Sequence, residues 1–319
     1  MSDKTITLES FFDETLVNVE KKIHYTISDE KIKSVLEGGK RLRSLLAALS
    51  FKACTKGKET KEQYQKSLEG SVSIELAHGA SLVHDDIIDK DVMRRGKKAF
   101  HIKEGIGKAL LMGHKMLVNG FDIALSHGNE VARLYVDSWN EVVNGEIDEV
   151  DFNKYGVKKQ YTSTKHQIFE AYYKIIDLKT ASLFSSACQA GALEADMTGD
   201  ILKVFSKYGR EIGLAYQLAD DLVDLENGEM IDSVIIPLLN RLENKTKISV
   251  LKKREIKKLF AKNQEKIKQF YISMIKKHVK NAKEISQSGL VPESDYKQFL
   301  KQAPDYIINR MLSEINVTI

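Results

Sequence analysis

The sequence contains few of the residues that break helices or cross-link chains. Its 319 residues include three prolines and two cysteines, Cys54 and Cys188. Cysteines this sparse and this far apart exclude a disulfide-rich secreted domain and a cysteine-based zinc site. The scarcity of proline leaves long stretches in which an α-helix can continue without losing a backbone hydrogen bond. We therefore expect a helical protein that folds in a reducing compartment.

Long apolar runs are also missing. No stretch approaches the roughly 20 consecutive apolar residues that cross a bilayer, and residues 1–4 are too polar to begin a secretion signal. We therefore expect a cytoplasmic protein without a membrane span. The lysine-rich stretch 245–283 carries apolar residues at helical spacing but few interleaved aromatics. It is interpreted as a helix with a solvated basic face, and no nucleic-acid partner is expected.

Apolar residues recur with the period of amphipathic helices, whereas strand-like alternation is nearly absent. With 42% hydrophobic residues and no low-complexity linker, residues 1–319 are expected to form one domain. We predict an all-α fold, an antiparallel helical bundle with a central apolar cavity. The predicted helices run over residues 7–25, 29–54, 61–90, 104–126, 128–150, 164–192, 198–226, 230–242, 247–286 and 293–314.

Two aspartate-rich segments, the first and second acidic boxes, are the strongest functional signal. Residues 85–89 and 220–224 both read D-D-x-x-D and both fall in predicted helices. Residues three and four apart share one face of a helix, so the carboxylates of each box cluster. Clustered inward carboxylates repel one another, and Mg²⁺ supplies the compensating charge while bridging to substrate phosphates. The boxes therefore predict a metal–diphosphate site between two facing helices.

Basic residues accompany both boxes along the chain. They are Lys40, Arg43, Arg94, Arg95 and Lys179. Each alone is typical of a solvated surface charge, but Lys and Arg also bind diphosphate oxygens through charge-assisted hydrogen bonds. The segment around Lys40 contains no nucleotide-binding P-loop pattern. Together with the acidic boxes, these cations outline a site for two phosphorylated substrates.

Two histidines lie close to the first box in the sequence. His78 precedes Asp85 by two helical turns and falls on roughly the same face. A lone histidine on an apolar helix is usually a core residue, but this alignment favours a place in the site for His78. His84, the neighbour of Asp85, fits equally well as a core residue or as a group that supports the box.

The order of these residues resembles that of the trans-isoprenyl diphosphate synthases, the polyprenyl synthetase family, and is similar to geranylgeranyl diphosphate synthases, archaeal members among them. Five landmarks occur in family order and span nearly the whole chain. They are residues 39–43, His78 with the first box, residues 94–96, Lys179 with Thr180, and Tyr216 with Gln217 before the second box. Each landmark is weak alone, but the ordered set is very specific. The resemblance implies the isoprenoid synthase fold and a homodimer.

The resemblance also implies a reaction, in which isopentenyl diphosphate is condensed with an allylic diphosphate in the presence of three Mg²⁺ ions. Preorganised cations stabilise the charge on the departing diphosphate, and an apolar pocket keeps water from the allylic cation. The implied metal ligands are Asp85, Asp89, Asp220 and Asp224, with Asp86, Asp221 and Lys179 completing the catalytic set. The implied isopentenyl diphosphate contacts are Lys40, Arg43, His78 and Arg95. The implied allylic-side contacts are Arg94, Lys179, Thr180 and Gln217.

Three departures from the family pattern stand out. Gly113 is followed by His114 where the family usually has Asp, and Gly145 is followed by Glu146 where it usually has Gln. Members commonly carry lysines in a loop after the second box, whereas the next lysine in this chain is Lys245. We expect loop closure over the allylic diphosphate to differ, without loss of activity.

The residues upstream of the first box predict the product length. In the family a bulky aromatic four or five positions before the first Asp stops chain growth. Here Ala80 and Ser81 occupy those positions and Ala77 lies one turn deeper, so the pocket wall is small. We therefore expect a product of about C20 or longer, with geranylgeranyl diphosphate favoured and a short-chain farnesyl diphosphate synthase as the alternative. The helix containing Met116 and Phe121 could instead supply the pocket floor.

Three other functions compete with this interpretation. A class I terpene cyclase uses D-D-x-x-D, but its second metal box mixes Asn, Ser and Glu, and it needs no second-substrate site. A non-catalytic partner subunit typically loses one acidic box, whereas both are whole here. A purely structural bundle gains nothing from so many inward carboxylates.

Overall fold

A computed structural model of the chain describes residues 6–155, 165–228, Leu239 and 253–319. The described α-helices, in chain order, are α1 (Leu8–Thr26), α2 (Glu30–Leu36), α3 (Leu42–Thr55), α4 (Lys61–Ile88), α5 (Phe100–Glu104), α6 (Ile106–Ser126), α7 (Asn129–Tyr155), α8 (Lys165–Ile176), α9 (Ser182–Glu194), α10 (Asp200–Glu226), α11 (Lys253–Ser286) and α12 (Asp295–Leu312). A π-helical turn, Asp177–Ala181, joins α8 to α9, and a 3₁₀ turn, Ser313–Ile315, follows α12. The predicted all-α fold is confirmed.

Local signals in the sequence explain where several helices begin. Thr60 starts α4 with a capping box: its hydroxyl accepts a hydrogen bond from the Gln63 backbone N–H at 3.2 Å. The Gln63 side chain accepts one from the Thr60 backbone N–H at 2.9 Å, so two otherwise unpaired donors are satisfied. Ser294 caps α12 with a single hydrogen bond, which its hydroxyl accepts from the Lys297 backbone N–H at 3.3 Å. These caps fix the starts of the helix that carries the first box and of the last long helix.

Some predicted helices are interrupted. The stretch 29–54 forms two helices because Gly38 (φ +75°) and Arg41 (φ +54°) adopt left-handed backbone conformations. The stretch 104–126 begins only after Gly105, and 164–192 contains the π-helical turn. The prediction over 230–242 lies outside the described residues except for Leu239, as do residues 247–252 of the next predicted helix.

A two-stranded hairpin follows α4 and was not predicted. Its strands are β1 (Met93–Arg94) and β2 (Lys97–Lys98), which pair antiparallel. The turn between them contains Arg95 and Gly96, both at positive φ (+51° and +73°). Two residues per strand are too short for a period-two pattern to be visible in the sequence. The hairpin nonetheless decides where Arg94 and Arg95 lie.

Two apolar clusters hold the bundle together on either side of the central cavity. The larger lies among α3, α9, α10, α11 and α12 and includes the buried rings of Phe51, Phe184, Phe205 and Tyr271. The smaller lies among α1, α2, α4 and α6 and includes Ile32, Leu76 and Met116. Helix α4 therefore presents one face to the smaller cluster and another to the cavity. Among the described residues, no helix combines the length and apolar character needed to cross a membrane.

Candidate active site

The central cavity has a volume of about 840 Å³ and brings together residues that lie between Gly38 and Asp224 in the sequence. It lies between the C-terminal halves of α4 and α10, with the loop before α3, the hairpin and the π-helical turn around it. Most of the predicted site residues line it. They are Lys40, Arg43, His78, Ser81, Asp85, Asp89, Arg94, Arg95, Lys179, Thr180, Gln217, Asp220, Asp221 and Asp224.

The middle aspartate of each acidic box is held by protein groups. Arg94 Nε donates to Asp86 Oδ1 at 2.7 Å, and Asp86 is almost fully buried. In the second box, Asp221 accepts hydrogen bonds from the Tyr172 hydroxyl and from Gln217 Nε2. Burial raises the pKa of Asp221 to about 7, although both hydrogen bonds act in the opposite direction. The middle aspartates are therefore held in place by protein groups, and the cavity is lined by Asp221 and by the outer aspartates of both boxes.

Lys179 lies among the carboxylates of the first box. Its Nζ is 3.3 Å from Asp85 Oδ1, 3.0 Å from Glu146 Oε1 and 2.6 Å from Glu149 Oε2. Burial lowers the pKa of Lys179, but the three carboxylates outweigh it and raise that pKa above its ordinary value. Burial followed by the charge of Asp85 raises the pKa of Glu146 to about 9. Glu146, one of the departures from the family pattern, thus belongs to the carboxylate cluster around Lys179.

The π-helical turn and two glycines explain how these groups come so close. The turn puts Lys179 and Thr180 on the cavity wall, and such turns are frequent at functional sites. A Cβ on Gly145 would lie 2.7 Å from the Lys179 backbone nitrogen, so only glycine lets α7 approach the turn. A Cβ on Gly113 would lie 2.2 Å from His84 Nε2, so Gly113 makes room for that ring. The two departures from the family pattern, His114 and Glu146, therefore each follow a glycine that close contact between helices requires.

The loop before α3 is fixed by a buried ion pair. Arg41 Nη1 lies 3.0 Å from Glu75 Oε2, and each side chain is only 2% exposed. Arg41 also donates to Glu20 Oε1 and to the Leu36 carbonyl, while the Ser44 hydroxyl donates to Glu75. Arg41 is thus a structural residue, and it leaves its neighbours Lys40 and Arg43 on the cavity wall.

The basic residues and the histidine near the loop before α3 differ in their surroundings. Lys40 is mostly exposed, with its Nζ 3.6 Å from Glu314 Oε1 in the C-terminal turn. Arg43 lies over the Phe184 ring at 4.5 Å, and its Nε is buried without a hydrogen-bond partner. Burial lowers the pKa of His78, and the nearby Arg43 and Arg95 lower it further, so the imidazole is neutral at pH 7. Its Nδ1 is also buried without a partner. Unpartnered donors beside an arginine pair are the groups that a diphosphate would satisfy.

A chain of hydrogen bonds links Thr180 to the second box. The Thr180 hydroxyl donates to Gln217 Oε1 at 2.7 Å, and Gln217 Nε2 donates to Asp221 Oδ1 at 2.9 Å. These residues come from the π-helical turn and α10, and they line the cavity next to Asp220 and Asp224. Both Thr180 and Gln217 are therefore placed where the predicted allylic diphosphate would lie.

Two apolar cavities adjoin the central one. The lateral cavity, of about 390 Å³, lies between α4, α6 and α7, and it shares Ser81 with the central cavity. The deep cavity, of about 40 Å³, lies between α4, α7 and α9, includes Ala77 and shares Leu183 with the central cavity. Ala80 instead is fully buried in the smaller apolar cluster with Leu76 and Met116. Helix α4 thus turns Ala80 away from these cavities, which corrects the prediction that Ala80 lines the pocket. Ala77 lines the deep cavity, and Ser81 lines the central and lateral cavities.

The carboxylates fit a divalent cation that arrives with a diphosphate. Within the described ranges, no three His, Cys, Asp or Glu side chains converge closely enough to hold a metal by themselves. Mg²⁺ usually keeps several waters and binds one or two carboxylates together with substrate phosphates, so a complete protein cage is not required. The outer aspartates of the two boxes face one cavity and carry only oxygen donors. Burial raises the pKa of Asp89 to about 6, although the positive charge of Lys179 acts in the opposite direction.

Several residues of the site were not identified from the sequence. Glu149 contacts Lys179, Tyr172 bonds Asp221, and Glu75 pairs with Arg41. Glu149 carries a signal, since it follows Glu146 by three residues and so shares its helix face. Tyr172 and Glu75 carry none, because their partners lie far away in the sequence. His84 is placed against His114 and Trp139 in the lateral cavity, with ring centroids 5.5 and 6.4 Å apart.

An all-α bundle with two facing acidic boxes and a ring of cations defines the isoprenoid synthase class of fold and site. The chain matches the family model described as polyprenyl synthetase over residues 26–234, and it belongs to that family. The geranylgeranyl diphosphate synthase of Methanosarcina mazei is 30% identical over 200 residues, which are 61% of this chain and 57% of that protein. This chain therefore spans little more than half of that relative.

Other relatives are covered more fully. The short chain isoprenyl diphosphate synthase of Methanothermobacter thermautotrophicus is 28% identical over 91% of this chain and 95% of its own length. A solved structure of geranylgeranyl pyrophosphate synthetase from Geoglobus acetivorans has a TM-score of 0.73 at 24% identity, covering 94% of this chain and 100% of its own. The decaprenyl diphosphate synthase of Rhodobacter capsulatus gives 0.78 at 20% identity, with 95% and 98% coverage. These structures establish the fold, and their names span several product lengths.

Proposed function

We propose that the protein is a Mg²⁺-dependent prenyltransferase that condenses isopentenyl diphosphate with an allylic diphosphate. The observation that carries this proposal is the single cavity lined by the outer aspartates of both acidic boxes and by two groups of basic or hydrogen-bonding residues. One group is Lys40, Arg43, His78 and Arg95, on the side of the loop before α3. The other is Arg94, Lys179, Thr180 and Gln217, beside the boxes. Two anion sites that share one set of carboxylates fit two diphosphate substrates.

The bonds broken and formed in the proposed reaction balance without any other reactant. The allylic C–O bond breaks, a new C–C bond forms to the terminal alkene carbon of isopentenyl diphosphate, and inorganic diphosphate and one proton leave. Bound Mg²⁺ would supply positive charge to the departing diphosphate. Arg43 and Arg95 would hold the diphosphate of the second substrate, with neutral His78 as a hydrogen-bond donor. The apolar walls beyond Ser81 would exclude water from the electron-deficient carbon.

The small side chains below the first box support a product of about C20 or longer, with geranylgeranyl diphosphate favoured over a farnesyl product. Incubation with isopentenyl diphosphate, farnesyl diphosphate and Mg²⁺ is expected to give products that chromatograph, after dephosphorylation, at C20 or above. Ala77→Phe is expected to shorten them, because its ring would fill the deep cavity beside Leu183. Ala77→Ser keeps the position small and serves as the control. A predominant C15 product from dimethylallyl diphosphate would contradict the chain-length proposal while leaving the prenyltransferase proposal intact.

Two alternative functions make different demands on the site. A cyclase would leave Arg43 and Arg95 without a substrate, although both line the cavity. A non-catalytic subunit would not need the outer aspartates of both boxes to face one cavity, as they do here. The substrates needed for diphosphate release distinguish these functions. A cyclase releases diphosphate from an allylic substrate alone, whereas the proposed prenyltransferase needs isopentenyl diphosphate as well.

We also propose a homodimer that forms through α6. The exposed side of this helix is unusually apolar, with Leu111 69%, Val118 65% and Leu125 49% exposed at a spacing of seven residues. Monomeric proteins rarely expose contiguous apolar patches of this kind, and a second copy of the chain would cover it. Light scattering on the purified protein is expected to give twice the chain mass of 36.1 kDa. Leu111→Glu is expected to return the mass of one chain, and a monomeric wild type would contradict the proposal.

A further inference from the structure

Arg210, on α10, joins three elements around the central cavity without lining the cavity itself. Its Nε donates to Asp177 Oδ1 at 2.6 Å, and its Nη2 donates to Glu141 Oε2 at 2.9 Å. Asp177 is the first residue of the π-helical turn, and Glu141 lies on α7. Arg210 therefore ties the turn that carries Lys179 and Thr180 to both α7 and α10.

The π-helical turn depends on its surroundings, because the α-helix is the common backbone arrangement and π-helical turns are rare. In this turn the Asp177 carbonyl accepts a hydrogen bond from the Ser182 backbone N–H, five residues later. The Ser182 hydroxyl donates to the Leu178 carbonyl at 2.5 Å. A return to α-helical hydrogen bonding would shift the register by one residue, which is a rotation of about 100° around the helix axis. Lys179 and Thr180 would then no longer face the cavity together.

Packing fixes the end of the turn more firmly than its beginning. Thr180 and Ala181 are buried, and a Cβ on Gly213 of α10 would lie 2.6 Å from the Ala181 Cα. Residues 177–179 are only partly buried. The ion pair between Arg210 and Asp177 therefore holds the part of the turn that the apolar core does not.

We propose that Arg210 is a positioning residue that holds the π-helical turn so that Lys179 and Thr180 face the allylic diphosphate. The inference rests on the proposed prenyltransferase function and names a residue outside the cavity on which the binding of one substrate depends. Arginine suits this role because its planar fork donates to two carboxylates on different elements at once. Lysine has a single charged nitrogen and lacks that fork.

The two substrates are expected to respond differently to the loss of Arg210. The proposed isopentenyl diphosphate contacts Lys40 and Arg43 belong to the loop before α3 and the start of that helix. This loop is fixed by the buried pair between Arg41 and Glu75 rather than by Arg210. Loss of Arg210 should therefore weaken the allylic side of the site and spare the isopentenyl side.

Steady-state kinetics test this difference. Arg210→Met keeps the apolar stem of the side chain and removes its hydrogen-bond donors. It is expected to raise KM for farnesyl diphosphate by about tenfold, the effect of weakening one charge-assisted contact, and to leave KM for isopentenyl diphosphate within about twofold. Arg210→Lys is expected to fall between Arg210→Met and wild type. An equal rise in both KM values, or a rise in neither, would overturn the proposal.

A neighbouring ion pair provides the matched control for these variants. Lys174 on α8 pairs with Asp148 on α7 at 2.8 Å, and its side chain is exposed. Lys174→Ala also breaks a link to α7, but an exposed pair contributes little. It is expected to leave both KM values within about twofold of wild type. A rise in the farnesyl diphosphate KM of Lys174→Ala equal to that of Arg210→Met would overturn the specific role of Arg210.

Hydrogen exchange of the protein without substrates provides a second test that needs no activity. Peptides that cover residues 177–183 are expected to exchange faster in Arg210→Met than in wild type, with peptides from α12 unchanged. Asp177→Asn is expected to have the same effect, and the double variant to exchange no faster than either single one, because both changes remove the same interaction. Unchanged exchange of the turn would overturn the inference alone. A wild type that incorporates no isopentenyl diphosphate would overturn the proposed function, and the exchange rates would still decide whether Arg210 holds the turn.

Discussion

Asp220→Asn is expected to lower kcat by about 10³-fold, because it removes a carboxylate from the wall that faces the first box. Charge stabilisation by a bound metal contributes several kcal/mol, and about 4 kcal/mol corresponds to that factor. Burial raises the pKa of Asp220, with the nearby Glu314 acting in the same direction and the cations Lys40 and Arg94 opposing. Asn has the same shape but cannot supply the negative charge that draws a divalent cation into the cavity.

The same helix offers a matched control for Asp220→Asn. Asp200, at the start of α10, is exposed and forms a surface ion pair with Lys203. Asp200→Asn is expected to leave kcat within twofold of wild type, since surface pairs contribute little. The measurement is isopentenyl incorporation at saturating substrates over a range of Mg²⁺ concentrations. If Asp220→Asn keeps more than a tenth of the wild-type kcat at every Mg²⁺ concentration, the metal role of the second box is wrong.

Arg41→Ala is expected to lower the free energy of unfolding by about 3–5 kcal/mol, because it leaves Glu75 as a buried charge without its partner. Glu75 is 2% exposed, and the Ser44 hydroxyl would be its remaining hydrogen-bond donor. The Leu36 carbonyl, which also binds Arg41, keeps Arg95 Nη1 as a donor at 3.3 Å. The cost therefore comes mainly from the uncompensated carboxylate. Urea unfolding followed by circular dichroism measures it.

Two further variants separate this explanation from a general loss of packing. Arg41→Met combined with Glu75→Leu removes both charges at once and is expected to be more stable than Arg41→Ala. Arg133→Ala breaks an exposed pair with Asp137 and is expected to change stability by no more than about 0.5 kcal/mol. A loss of less than 1 kcal/mol in Arg41→Ala would show that the ion pair does not fix the loop that carries Lys40 and Arg43.

The sequence predicted the helices and the acidic boxes because both depend on local spacing. A D-D-x-x-D segment in a helix puts its outer carboxylates on one face whatever surrounds it. The grouping of Lys40, Arg43 and His78 with the first box was also predicted, through the ordered landmarks of the family rather than from spacing alone. The structure places all of these residues around one cavity.

The features that the sequence could not predict depend on the rotation of side chains around a helix and on contacts between residues far apart in the sequence. Ala80 and Ser81 are neighbours, yet a step of one residue turns a helix by about 100°, so Ser81 lines the cavity and Ala80 faces the core. The π-helical turn that presents Lys179 differs from an α-helix by a single inserted residue and has no sequence pattern of its own. The Tyr172–Asp221 hydrogen bond joins residues on two helices that only the tertiary fold brings together.

Release of inorganic diphosphate tests the central claim most directly. The purified protein is incubated with farnesyl diphosphate alone, with isopentenyl diphosphate alone and with both, each with Mg²⁺ and with excess chelator. We expect release only when both substrates and Mg²⁺ are present, because the proposed reaction needs both diphosphates and a metal held by the aspartates that line the cavity. Release from farnesyl diphosphate alone would identify a cyclase, and no release under any condition would contradict a catalytic role for the two acidic boxes.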